Sequence, residues 1–124
     1  MKYIVFYLLF AFSSTCFSTE LSPISQQEIT HLLSYLETSG CKFNRNGSWY
    51  QPSEAVAHIN KKYQYFLGKG LIASAEVFID KAATESSMSN KPYLVMCNDG
   101  SPIESATWFK AELFKYRTVS GTKH

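Results

Sequence analysis

The sequence has few of the residues from which metal and covalent chemistry are built. It contains three cysteines and three histidines, with no C-x-x-C or H-x-x-x-H spacing, so no metal motif is present and no resident metal or cofactor is expected. No G-x-S-x-G element surrounds any serine, which removes the usual strand-to-helix nucleophile. Charge of one sign is not concentrated anywhere: 12 basic residues face 10 acidic ones, dispersed apart from Lys61-Lys62. A nucleic-acid binder shows a basic stripe, so that partner class is excluded. There is no internal repeat, low-complexity tract or linker.

What is present begins with the N-terminus. Lys2 precedes an unbroken apolar run of ten residues, Tyr3 to Phe12. That is the h-region length of a secretory signal and about half of the ~20 residues a membrane-spanning helix needs. Ser13, Ser14 and Thr15 follow. Cys16 and Ser18 then occupy the minus-three and minus-one positions of a small-x-small site cut between Ser18 and Thr19. An uncleaved anchor is disfavoured by the short run. Lipidation of Cys16 is disfavoured by Ser13, which stands where a lipoprotein signal carries Leu. Residues 1–18 are therefore read as a signal peptide and 19–124 as one small exported domain.

Removing 18 residues from 124 leaves 106, room for a single core. Losing Lys2 leaves 11 basic against 10 acidic residues, nearly neutral. No later apolar run reaches membrane-spanning length. The chain is 45% hydrophobic and rich in aromatics, the composition of a folded rather than a disordered domain. Once Cys16 is removed, Cys41 and Cys97 remain. In an oxidising compartment they are expected to pair, and closing that loop contributes roughly 4 kcal/mol in the chain-entropy description.

The pattern predicts an α+β fold of about four helices on a two- to three-stranded antiparallel sheet. Ser25-x-x-Glu28 has capping-box form and opens a helix whose apolar face is Ile29, Leu32, Leu33 and Leu36, with Gly40 ending it. His31 lies off that stripe and reads as solvated. Asn46-Gly47 between short extended runs signals a two-residue hairpin. Ser53 is the expected N-cap of a second helix burying Val56, Ile59, Tyr63, Phe66 and Leu67. A third helix is expected from Ile72 to Ala83, with Ile72, Ala75, Phe78, Ile79 and Ala82 inward. A polar loop spans Thr84 to Asn90. A strand follows over Tyr93 to Cys97, then a turn and a last helix from Ser105 to Tyr116 burying Ala106, Phe109, Leu113 and Tyr116.

Several groups of residues could carry chemistry. Glu54, His58 and Lys62 are spaced i, i+4, i+8 on the second helix. They read as a general base steadied by a carboxylate, or as a solvated stripe of ordinary ion pairs, which is the commoner case. Glu76 and Asp80 are i, i+4 on the third helix; paired carboxylates can hydrolyse glycosides only when placed across a sugar. Ser86, Ser87 and Ser89 fit a loop that hydrogen-bonds its own backbone better than a nucleophile. Trp49 and Tyr50 read as half-buried anchors covering the helix below, the commoner case, or, beside Arg45, as the rigid aromatic and basic surface of a recognition site. The favoured reading is a non-enzymatic binding domain that uses Arg45, Trp49, Tyr50, His58 and Lys62. Its partner would be an envelope protein or cell-wall component. If His58 is exposed, binding should weaken as pH rises through its titration. The alternative is a small envelope hydrolase using His58 with Glu54 or Glu76.

One set of motifs resembles a known family. Ser39-Gly40-Cys41, Phe43 with Arg45-Asn46-Gly47, and Glu54-Ala55-Val56 with His58 occur in the order and spacing of the YfeK-like family of small exported bacterial proteins. Ser74-Ala75-Glu76 with Phe78-Ile79-Asp80-Lys81, Ser86-Ser87, and Lys91-Pro92-Tyr93 with Val95 continue the match. The likeness runs from about Ile24 to Cys97. It implies a Gram-negative periplasmic protein and no activity, since that family is a domain of unknown function. Asn90 departs from it, standing where glycine is common, so a small difference in backbone angle is expected there.

Overall fold

The computed structural model describes residues 21–121. The signal segment, the Ser18–Thr19 cleavage site, Cys16 and His124 lie outside the described residues. Along the chain come α1 (Pro23–Thr38), β1 (Lys42–Arg45), β2 (Ser48–Tyr50), α2 (Pro52–Gly68), α3 (Ala75–Ala82), β3 (Leu94–Met96), β4 (Ile103–Glu104) and α4 (Ser105–Val119). The strands form one open antiparallel sheet in the order β2-β1-β3-β4. The fold is α+β, as expected, with one strand more than the sequence suggested. β4 has two residues and runs directly into α4, so it leaves no alternation to read.

α1 starts earlier than the pattern implied. Ser22 is the N-cap, its hydroxyl accepting from the Ser25 N–H at 3.1 Å, and proline opens the first turn. The Ser25–Glu28 capping box does not form, because the Glu28 side chain turns inward to Arg117. α2 likewise opens at Pro52 rather than after Ser53. Its N-cap is Gln51, whose N–H donates to Glu54 Oε1 at 3.4 Å. α3 begins only at Ala75, capped by Ser74, although Ile72 ahead of it is buried as expected.

The hairpin forms where the Asn-Gly signal placed it. Asn46 and Gly47 have φ of +52° and +84°, the left-handed pair that a two-residue turn matching strand twist requires. Gly40 leaves α1 at φ +69°. A disulfide joins Cys41 to Cys97, at the ends of β1 and β3, with Cα atoms 4.3 Å apart. Asn90 takes φ +58°, a left-handed conformation that asparagine tolerates better than most residues.

The core lies between the helices and one face of the sheet. Ile29, Leu32 and Leu36 of α1 meet Ala55, Ile59 and Tyr63 of α2, Phe78, Ile79 and Ala82 of α3, and Phe109 and Leu113 of α4. Phe43 and Val95, paired across β1 and β3, close it from the sheet. Two expectations for α4 are corrected. Ala106 and Tyr116 are only partly buried, while Trp108 and Glu112 are buried, because α4 crosses α1 closely enough to draw them in.

That crossing also decides His31, which is not simply solvated. Its Nε2 lies 2.7 Å from Glu112 Oε2, and its ring stacks on Tyr116 at 4.1 Å. Nearby, Arg117 holds Glu28 with its Nε at 2.6 Å and Glu76 with Nη2 at 2.8 Å. Glu28 is only 3% exposed, so this pair carries a carboxylate into the interior. Pairing with two carboxylates pushes Arg117 further into its charged form.

Candidate functional site

α2 buries one face against the core and turns the opposite face toward the end of β1. Residues 58, 61, 62 and 65 stand at i, i+3, i+4 and i+7, so His58, Lys61, Lys62 and Tyr65 share one side of the helix. Opposite them runs the loop from Thr84 to Pro92. The Ser86 N–H donates to the Lys91 carbonyl, the Asn90 N–H to the Ser86 carbonyl, and the Tyr93 N–H to the Thr84 carbonyl. The Ser86 hydroxyl accepts from the N–H groups of Met88 and Ser89. These serines therefore build the loop. Ser89 also donates to Asn46 Oδ1, tying the loop to the hairpin tip.

Between α2, the loop and the hairpin lies a cavity of about 700 Å³. Its wall has an apolar part, Tyr65, Phe66 and Met88, and a basic part, Arg45, Lys61 and Lys62, with Asn46, His58, Ser86, Ser87 and Tyr93 completing it. No carboxylate lines it. A smaller hollow of about 240 Å³ adjoins at Arg45 and His58, and Glu54 and Tyr50 line that one.

The polar centre is a connected set. Arg45 Nη1 lies 2.6 Å from His58 Nδ1 and 3.2 Å from Nε2. His58 Nε2 lies 3.0 Å from Tyr93 Oη. Lys62 Nζ donates to the Glu85 carbonyl at 2.8 Å and to Tyr93 Oη at 3.2 Å. Arg45 also sits over the Tyr50 ring at 5.1 Å, and Lys62 over the Tyr93 ring at 5.0 Å.

Arg45 is a donor only, and His58 and Tyr93 share one hydrogen bond whose direction follows the His58 tautomer, while Lys62 donates to Tyr93 Oη. Burial, then Arg45, Lys62 and Lys61, lower His58 to about 4. Burial and Arg45 lower Lys62 while Glu85 opposes them. Burial raises the Tyr93 phenol. His58 is half-buried rather than exposed, so the condition under which its titration was expected to govern binding is not met.

Of the five residues singled out from sequence, four come together: Arg45, Tyr50, His58 and Lys62. Trp49 does not join them. It pairs across the hairpin with Asn44, whereas Arg45 shares its face with Phe43 and Tyr50, so alternation sends the Trp49 side chain to the other side of the sheet. Trp49 is 40% exposed there. The carboxylates weighed as partners for His58 do not converge on its imidazole. Glu54 is exposed and bonded to the start of its own helix, and Glu76 belongs to Arg117. Asp80 pairs with Lys110 at 3.7 Å. Among the described residues no group of three His, Cys, Asp or Glu side chains is gathered to hold a metal, and no helix is long and apolar enough to cross a membrane.

Sequence reasoning missed Tyr93, Tyr65, Phe66, Lys61 and the loop's Met88. The helical period from His58 to Tyr65 carried a signal for two of them. Tyr93 gave none, since an aromatic at the head of a strand reads as core, and its ring is indeed buried.

Comparison with known proteins places the chain in a family. The profile of a family of unknown function, DUF5329, matches residues 23–117. The chain belongs to the DUF5329 family. The match spans every element from α1 through nearly all of α4, so the whole cavity lies within it. No curated protein and no solved structure matches the chain.

Proposed function

We propose that this DUF5329 protein is a small exported binding domain, of the YfeK-like kind, and that the cavity between α2 and the Thr84–Pro92 loop is its binding site. The observation that carries the reading is the state of the cavity's polar groups. Arg45, Lys61 and Lys62 form no ion pair with a carboxylate among the described residues. Donors left open beside an apolar wall, in a space of about 700 Å³, suit a ligand of ordinary small-molecule size. Periplasmic export is supported by the N-terminal apolar run and by the Cys41–Cys97 disulfide, which belongs in an oxidising compartment. The partner is then a small molecule met in the cell envelope.

Ligand retention tests the site. Small molecules from a cell extract that stay with the purified protein are compared by mass spectrometry with those retained by Ser87→Trp, which fills the cavity from an exposed position. A species held by the natural protein and lost from the variant, at unchanged melting temperature, is the expected result. Equal retention by both would place binding elsewhere. Export is tested separately: the protein recovered from periplasm should begin at Thr19.

A further inference from the structure

We infer that the cavity takes a phosphate monoester carried on an aromatic or other apolar group, as a soluble small molecule. The inference rests on the reading of the cavity as the binding site and adds the chemistry of the ligand. Three cationic side chains line the wall, and a dianion matches them more nearly than a single carboxylate does. A phosphate monoester carries about −1.5 to −2 at neutral pH and three strong acceptor oxygens.

The donors match in kind. Arg45 spends one nitrogen on His58, leaving the rest of its planar fork for two oxygens. Lys62 spends two of its three hydrogens, on the Glu85 carbonyl and Tyr93, and has one left. His58 and Tyr93 stand behind them as neutral partners of Arg45 and Lys62. Lys61 adds charge at the rim. The apolar wall of Tyr65, Phe66 and Met88 lies in the same cavity, and Met88 is almost wholly exposed, so an apolar group placed there covers surface now facing water. A plain carboxylate would leave more positive charge unmatched, and inorganic phosphate would leave the apolar wall uncovered.

The test uses phenyl phosphate, benzoate, inorganic phosphate and benzyl alcohol as probes in calorimetric and ¹H–¹⁵N NMR titrations of the purified protein. Phenyl phosphate should saturate and shift resonances of α2 and the Thr84–Pro92 loop. It should bind at least about tenfold more tightly than the other three, the difference expected for one charge-assisted hydrogen bond or one well-covered apolar group. Lys62→Gln and Arg45→Gln should each weaken phenyl phosphate by about tenfold on the same grounds. Tyr65→Ser should weaken phenyl phosphate and leave inorganic phosphate unchanged. Benzyl alcohol binding as tightly as phenyl phosphate would overturn the inference while leaving the cavity a binding site. No response to any probe at millimolar concentration would overturn it too, and the extract comparison above then decides whether the cavity binds at all. Sedimentation with phosphatidate vesicles that phenyl phosphate does not reverse would move the ester onto a lipid and refute the soluble ligand.

Discussion

Two regions of this small domain collect charged side chains, and they treat them in opposite ways. Where α1, α3 and α4 meet, each carboxylate has a partner: Arg117 holds Glu28 and Glu76, and His31 lies against Glu112. At the cavity, Arg45, Lys61 and Lys62 crowd one another and lower the pKa of His58, and no carboxylate among the described residues lines the wall. The first arrangement is what a fold needs when it draws a carboxylate out of water. The second gives Arg45 and Lys62 only neutral partners, the His58 ring, the Glu85 carbonyl and the Tyr93 hydroxyl, so their charge becomes useful when an anion arrives. Completeness of pairing, more than the presence of charged residues, separates the structural polar cluster from the candidate site.

Breaking the matched cluster should have the largest effect. Arg117→Met leaves Glu28 buried without its partner and should cost about 3 kcal/mol or more. Measured by denaturant unfolding, a loss under about 1 kcal/mol, the size of a surface pair, would mean that the cluster is not structural. Next comes the hairpin that carries Arg45. Gly47→Val puts a β-branched residue at positive φ and should cost about 1–2 kcal/mol. An unchanged melting temperature would show that the turn has another conformation.

The difference between the two regions was only half legible in the sequence. Helical periodicity exposed the centre of each helix's buried face, while Leu33, Val56, Phe66, Leu67, Ala106 and Tyr116 at its margins are only partly buried, and Asn46-Gly47 announced the hairpin, because those signals are local. His58 and Lys62 on α2 with Arg45 in the hairpin were also readable as one surface. The matched cluster was hidden, since Glu28 and Arg117 are 89 residues apart, and Glu28 read as a capping residue. Trp49 was misplaced because adjacency in sequence reads as adjacency in space, and strand alternation makes it the reverse. Tyr93 was invisible as a site residue because its ring serves the core while its hydroxyl serves the cavity, and composition cannot divide a side chain in two.

Acid should sharpen the comparison with a smaller effect. The pKa of His58 is lower in the folded protein than in the unfolded chain, so protons bind the unfolded chain first. The stability due to neutral His58 is complete above about pH 6.5, declines as pH falls, and is gone once pH passes about 4. NMR titration should place the His58 midpoint near 4. A midpoint near the ordinary histidine value would show that His58 does not lie buried among these cations. His58→Gln should flatten this part of the acid limb.

The smallest expected change in stability gives the most direct test. In Arg45→Met with Lys62→Met, both stems remain to pack against Tyr50 and Tyr93 while the charges go. The melting temperature of this double variant is the measurement. If the cavity's cations serve a ligand, it should stay within about 4 °C of the natural protein or rise, because removing like charges relieves repulsion. A fall of about 8 °C or more would show that these cations hold the fold together and would contradict the account.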